Sequence, residues 1–382
     1  MDQPLVSVVL TNYNGERFVG SAIESVLRQT YAHWELIIVD DCSTDRSLDV
    51  IGRYRDERIR LIRNETNQHV STAHNRGNAA ARGDYLAALD NDDLWKPDKL
   101  EKQIAWMENH PETGVCLTWT DFVDEQGVPF ELDVLRKLFS VGNRSRIQWV
   151  HDLLTTGNHF ANDSAMIRAS LLRAAGDNDP CLIQLHDYDL FVRLAMQTDF
   201  HILEEPLMSY RKYRGSGSIS ENSGANERRL AFEYAWIISQ AVLRMEISLF
   251  REVFREEMIH PEAESPEEIL CEKALLLGSD HLHENCRYAA FALFEEIFRS
   301  PEACEKLRTQ YGCTQHDVYR MTGMPVLFSK NTDMELAETR EALRQAQKRC
   351  EEKDTELQHI KHSLYWRMIS PVRNLMQRLR SK

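Results

Sequence analysis

Residues 6–40 read VSVVLTNYNGERFVGSAIESVLRQTYAHWELIIVD. The first six form a continuous, largely apolar run, which suits a strand buried on both faces. A helical stripe follows in Phe18, Ala22, Val26 and Leu27, and WELIIVD (34–40) is a second strand. The alternation continues outward. Leu48, Val50, Ile51 and Tyr54 mark a helix that Ser43 or Thr44 is placed to cap. RIRLI (58–62) is a third strand, followed by a helix with Ala73, Asn75, Gly77 and Ala80. YLAALD (85–90) is a fourth strand, then a helix with Leu100, Ile104 and Met107 whose first turn takes Pro97. GVCLTWT (114–120) is a fifth strand. This pattern predicts an α/β fold with a Rossmann-like, mostly parallel sheet flanked by helices. In such sheets ligands bind beyond the C-terminal ends of the strands. Thr11 to Asn14, Asp40, Asp41 and Asp90 to Asp93 crowd there.

At 382 residues the chain has room for more than one domain. The net charge of −14 argues against a nucleic-acid partner bound through a basic surface. No apolar run is long enough to span a bilayer, and the first residues lack the pattern of a signal peptide. Eight cysteines without CxxC pairs read as reduced thiols, so a cytoplasmic setting is expected.

Three segments carry residues suited to chemistry. In AALDNDDLWKPDKL (87–100) a strand ends in Asp90, and Asp92 and Asp93 follow. Adjacent carboxylates repel unless a cation or protons intervene, and such oxygen ligands suit Mg²⁺ or Mn²⁺. The same spacing fits a polar turn capping the next helix, and spacing leaves both open. LTNYNGERF (10–18) lacks the glycine spacing of a dinucleotide fingerprint or a P-loop. It fits either a nucleobase pocket or a plain strand–helix turn. In LIQLHDYDLFVRLA (182–195), Asp187 and Asp189 fall in the first turn of a helix, as caps or, for Asp187, as a general base.

Taken in order and spacing, these three segments and EPLMSYRKY (205–213) resemble the inverting glycosyltransferases of family 2, with the GT-A fold. The resemblance covers roughly residues 4–220. It implies transfer of a sugar from a nucleotide-diphosphate donor, a UDP-sugar foremost, to an acceptor hydroxyl. It further implies that Thr11 and Tyr13 line the nucleobase pocket and that Asp41 accepts from a base N–H. Asp90 and Asp92 match the metal-binding DxD, with Asp90 nearer the ribose. Asp187 matches the catalytic base, and Arg211 would meet the diphosphate if its loop folds over the site. Three positions depart from the family pattern: His186 stands where Glu often precedes the base, Tyr213 where His often ends the Tyr-Arg-x-His motif, and His74 where Arg is frequent. A sugar-nucleotide pyrophosphorylase would need a Gly-rich, Arg-containing loop after the first strand, which this chain lacks. The remaining alternative is a non-catalytic GT-A-like scaffold.

The expected organisation is a catalytic domain over 1–225, a helical domain over 226–330, a coiled coil over 331–362 and a basic amphipathic tail over 363–382. Leu336, Leu343, Cys350, Leu357 and Leu364 recur every seven residues and suggest a homo-oligomer. The tail mixes Tyr365, Trp366 and Leu375 with arginines, which suits either contact with an anionic membrane surface or an interaction helix packing on the catalytic domain or on a second copy. Its SxxWRxxxPxR-like pattern also resembles a tail of bacterial surface-polysaccharide glycosyltransferases. That resemblance implies a saccharide or lipid-linked saccharide acceptor and a place at the inner face of the cytoplasmic membrane.

Overall fold

The computed structural model describes residues 3–131, 133–212 and 224–322. The Gly/Ser stretch 214–218, Tyr213, the heptads of 331–362 and the tail 363–382 lie outside the described residues. Eight strands form one sheet: β1 (Val6–Asn12), β2 (Trp34–Asp40), β3 (Ile59–Arg63), β4 (Tyr85–Asp90), β5 (Leu94–Trp95), β6 (Thr113–Val123), β7 (Met166–Arg168) and β8 (Asp199–Arg211). Their spatial order is β3-β2-β1-β4-β7-β6-β8-β5. All five strands expected from the sequence are present. The short strands β5 and β7, and the long β8, add to them, and β5 and β7 run antiparallel to their neighbours. The sheet is therefore mixed, with parallel pairing across β3, β2, β1 and β4 and again between β6 and β8.

The helices of this part are α1 (Val19–Leu27), α2 (Ser47–Ile51), α3 (His69–Ala80), α4 (Lys99–Asn109), α5 (Asp133–Phe139), α6 (Arg146–Thr156), α7 (Ala169–Ala175) and α8 (His186–Ala195). Six more follow: α9 (Gly224–Arg244), α10 (Ile247–Val253), α11 (Pro266–Gly278), α12 (Arg287–Arg299), α13 (Pro301–Thr309) and α14 (Gln315–Thr322). The helical reading from residue 226 to about 325 thus matches the structure over the described residues 226–322.

Every residue of β1 is buried, because its alternate side chains enter different cores. Val6, Val8 and Leu10 pack with α1 and α4 residues such as Ile23 and Leu100. Val9 points the other way, into a core that runs through α6 and α8 and on into α9–α14. Gly77 lets α3 lie close on β1, since a Cβ there would collide with Val9.

Two local expectations are corrected. Ser43 and Thr44 do not cap α2, whose flanking residue is Arg46. Ser43 instead donates to Asp40 Oδ1 at 2.6 Å and accepts from the Asn14 N–H. A short hydroxyl beside a buried carboxylate satisfies that charge before it can reach a helix three residues on. Pro97 precedes α4 rather than entering it, and its carbonyl accepts from the Thr30 N–H.

Candidate active site

Strand register brings the polar residues to one edge. Asn12 pairs with Asp40 across β1 and β2, and Thr11 pairs with Asp90 across β1 and β4. The loops that follow are tied together. Asn12 donates to Asp40 Oδ1 at 2.8 Å, and Asn91 donates to Asn12 Oδ1 at 2.9 Å. A Cβ at Gly15 would strike both Asn91 and Asn12, so only glycine lets the first loop lie this close to the DxD segment. Gly15 N–H bonds Ser47 Oγ, and Thr44 N–H bonds Asn14 Oδ1, which fixes the first loop on the second. Above this frame Tyr13 projects, about half exposed, while Thr11 is buried.

Asp41 is tied into the protein. Its carboxylate is buried and already accepts from Asn64 Nδ2 at 2.6 Å and from Gln68 N–H at 2.9 Å. It anchors the segment 64–68 beside the site.

Asp90 accepts from Thr11 Oγ1 at 3.3 Å, and His74 Nε2 lies 3.8 Å from the same oxygen. Burial alone would raise the Asp90 carboxyl. The imidazoles of His74 and, further off, His186, with the Thr11 hydroxyl, more than offset it and hold the group below the usual carboxylate range. Its backbone N–H donates to Asp163 Oδ2 at 2.7 Å. Asp163 and Asp93 are both buried behind the DxD loop. Burial first, then repulsion from the other carboxylates, pushes both well above the usual carboxylate range. Lys99 is also fully buried near Asp163, with its ammonium over the Trp95 ring at 4.1 Å; burial lowers it to about 7. Asp92 is partly exposed on the loop itself.

Asp187 opens α8. Its Oδ1 accepts from the Tyr188 N–H at 2.8 Å and its Oδ2 from Asn158 Nδ2 at 3.3 Å. Burial lifts its carboxyl to about 6; the Tyr188 N–H opposes this, and the Asp90 charge lies near enough to add to it. His186, the residue before it, stacks on His74 with ring centroids 5.5 Å apart and planes at 28°. Both His186 ring nitrogens are buried, and burial followed by the His74 neighbour lowers the ring to about 4. The structure therefore gathers Asp90, His74, His186 and Asp187 at one place. It also shows that two of the family departures are in contact.

Arg211 is engaged with the protein itself. Its guanidinium is buried, donating from Nε to the Asp92 carbonyl at 2.7 Å and from Nη1 to the Asp124 carbonyl at 3.0 Å, over the Phe18 ring. Its backbone N–H bonds Asp93 Oδ1 at 2.8 Å. Arg211 is a clamp on the DxD loop, because the planar donor fork matches converging carbonyls. Among the described residues, Lys212 is a half-buried cation that feels the charges of Asp93 and Asp92 and lies over the Tyr210 ring.

A family model described as Glycosyl transferase family 2 matches residues 7–167. A putative glycosyltransferase of Bacillus subtilis strain 168, EpsE, is 34% identical over 255 residues, covering 64% of this chain and 84% of its own length. The chain belongs to glycosyltransferase family 2. This glycosyltransferase is also 42% identical over 107 residues to WfgD of Escherichia coli, named as a UDP-Glc:alpha-D-GlcNAc-diphosphoundecaprenol beta-1,3-glucosyltransferase; that match spans 28% of this chain and 42% of the relative. Its fold is similar to that of S. aureus TarS 1–349, solved in complex with UDP-GlcNAc. The TM-score is 0.54 at 17% identity, over 80% of this chain and 92% of that one. The GT-A-like α/β sheet expected from the sequence is thus the fold observed, with a helical region after it. No helix among the described residues is long and apolar enough to cross a membrane.

Two site residues gave no signal in the sequence. Asp163 and Asn158 are short polar residues outside the strand and helix patterns, where turns use the same types.

Proposed function

We propose that this glycosyltransferase moves a sugar from a nucleotide-diphosphate donor, a UDP-sugar foremost, to a hydroxyl of a saccharide or lipid-linked saccharide, with inversion. The setting is assembly of cell-surface polysaccharide at the inner face of the cytoplasmic membrane. The tail 363–382 is proposed to meet the membrane and the heptads of 331–362 to pair copies. The relative named for a diphosphoundecaprenol acceptor supports the lipid-linked reading.

The observation that carries the reaction is the place of Asp187, held by the Tyr188 N–H and Asn158 Nδ2 where His186 stacks on His74 beside Asp90, a setting whose burial raises its carboxyl to about 6. A base needs such tuning to be ionised near neutrality yet able to hold a proton. Thr11 and Tyr13 face the nucleobase, with Asp41 setting the wall of that pocket and offering its remaining lone pairs. Asp90 is assigned to the ribose side. Among the described residues no group of three or more His, Cys, Asp or Glu converges as a self-sufficient metal site. Asp92 and Asp90 still fit a cation that takes its other ligands from substrate phosphates, as Mg²⁺ and Mn²⁺ do. Such an ion, when bound, neutralises charge on the departing diphosphate.

The residues of the chain do the rest. The acceptor oxygen attacks the anomeric carbon from the face opposite the diphosphate. The new C–O bond forms as the bond to phosphate breaks, and its electron pair leaves with the nucleoside diphosphate. The hydroxyl proton passes to Asp187. Lys212 is proposed to steady the diphosphate, together with Arg211 if its loop folds over the site; Arg211 also holds the loop that carries Asp92.

Asp187→Asn is expected to keep UDP–Mn²⁺ affinity, read by calorimetry, while transfer falls by about 10²–10⁴-fold. Asp92→Ala is expected to lose the Mn²⁺ dependence of UDP binding. Near-normal transfer by the first variant, or an unchanged Mn²⁺ titration in the second, overturns the assignment of that residue.

A further inference from the structure

The residue that flanks the helix bearing Asp187 is Leu185, whose side chain makes no capping hydrogen bond. The turn 183–185 that leads into this helix is instead held from outside. Glu233 of α9 is 2% exposed, and its Oε1 accepts from the Ile183 N–H at 3.1 Å. Its Oε2 accepts from Gln184 N–H at 2.9 Å and Leu185 N–H at 2.8 Å. One buried carboxylate thus takes three consecutive backbone donors at the positive end of α8, where the helix dipole also favours an anion. The next residue, Tyr234, packs its ring on Tyr188 with centroids 5.0 Å apart. A Cβ at Gly157 would meet Tyr234 Oη at 3.3 Å. Gly157 precedes Asn158, whose amide holds Asp187 Oδ2. Glu233 therefore holds the turn that leads into α8, while its neighbour Tyr234 packs beside Tyr188 and Gly157, next to both supports of the Asp187 carboxylate.

We propose that Glu233 is a positioning residue for Asp187, and that the helical region serves the active site through it rather than as an appendage. This rests on Asp187 being the base. A shift of the 183–185 turn would move the carboxylate relative to the acceptor hydroxyl while leaving the nucleotide end, built on β1, β2 and β4, in place. Small misplacements of this kind cost rate rather than donor affinity.

The test uses the full chain with Glu233→Gln, Glu233→Ala and, in parallel, Asp187→Asn. Gln keeps the shape but must turn an NH₂ group toward at least one backbone N–H, so it answers even where Ala fails to fold. UDP release from UDP-sugars gives kcat, calorimetry with UDP and Mn²⁺ gives affinity, and hydrogen exchange reads the amides of 183–185. Glu233→Gln is expected to lower kcat on the order of tenfold or more, to leave UDP affinity within about twofold, and to speed exchange at those amides. Unchanged kcat, unchanged exchange, or a loss of UDP affinity equal to the loss of kcat overturns the positioning role. If Asp187→Asn keeps its turnover, the base assignment fails whatever Glu233 does. If Asp187→Asn is inactive and Glu233→Gln is not, only the positioning role fails.

Discussion

Asp187 meets two opposed demands. A carboxyl raised to about 6 has its neutral form favoured by the fold, since the ordinary value is 3.8. The stability it contributes is present below about pH 4 and is lost as pH rises through 6. Ionisation is what a base requires, so the acid limb of kcat/KM in the free enzyme is expected near pH 6, activity falling below it. The same shift predicts that Asp187→Asn is more stable than the parent at pH 7.5, on the order of 1 kcal/mol or more, with the gain vanishing near pH 4. Thermal unfolding at the two pH values measures it, and an Asn variant less stable at both would contradict the raised carboxyl. Asp187 and the DxD are legible in the sequence because each sits at a fixed place relative to a strand or helix pattern. His74 and His186 are visible there only as separate departures. Their stacking depends on α3 and α8 meeting beneath Asp90, a contact between segments far apart along the chain. Asp163 is less visible still: its acceptor role toward the Asp90 N–H exists only once the sheet has formed.

At the scale of elements, the parallel strands are readable because burial on both faces writes them as apolar runs. The strands missed are the ones where that signal is diluted. β7 has three residues and β5 two, while β8 carries Glu204, Glu205 and Pro206 at its middle, where its register with β6 shifts. Links between elements are harder to read than elements. His151 on α6 bonds Glu257, just after α10, through Nε2 at 2.7 Å. Burial lowers the imidazole, but Glu257 and then Asp152 outweigh it and raise the ring overall. A raised histidine contributes stability that is fully present below its unfolded value, about 6.5, and is lost as pH climbs through its folded value. Glu257→Gln is therefore expected to destabilise by roughly 1 kcal/mol at pH 6 and by less at pH 9. Denaturant melts at both pH values check this; an equal loss at each would mean that the contact is not ionic.

For the whole molecule, composition suggests a boundary near residue 225, where the chain turns helical and acidic. The packing does not break there. The core on one face of the sheet continues through Phe191 and Leu194 into Ile237, Ile238, Ala241 and Val242 of α9, and on to Phe250, Leu277 and Ile297. Sequence periodicity reports that a helix has an apolar face but not which partner covers it, so the helical region reads as a neighbour when it is part of the same core. Each buried Ile or Val side chain contributes about 1.5–3 kcal/mol, and a whole domain is stable by only about 5–15 kcal/mol. Removing α9–α14 would uncover the faces of α6 and α8 and leave the three N–H groups of 183–185 without their carboxylate. A chain ending at residue 223 is therefore expected to show no cooperative thermal transition and no UDP–Mn²⁺ binding, although it retains every residue of the family pattern. Circular dichroism melts and calorimetry on that fragment, beside the full chain, decide the matter. A fragment that unfolds cooperatively and binds UDP as the full chain does would show the sheet to be self-sufficient and the shared core to be incidental.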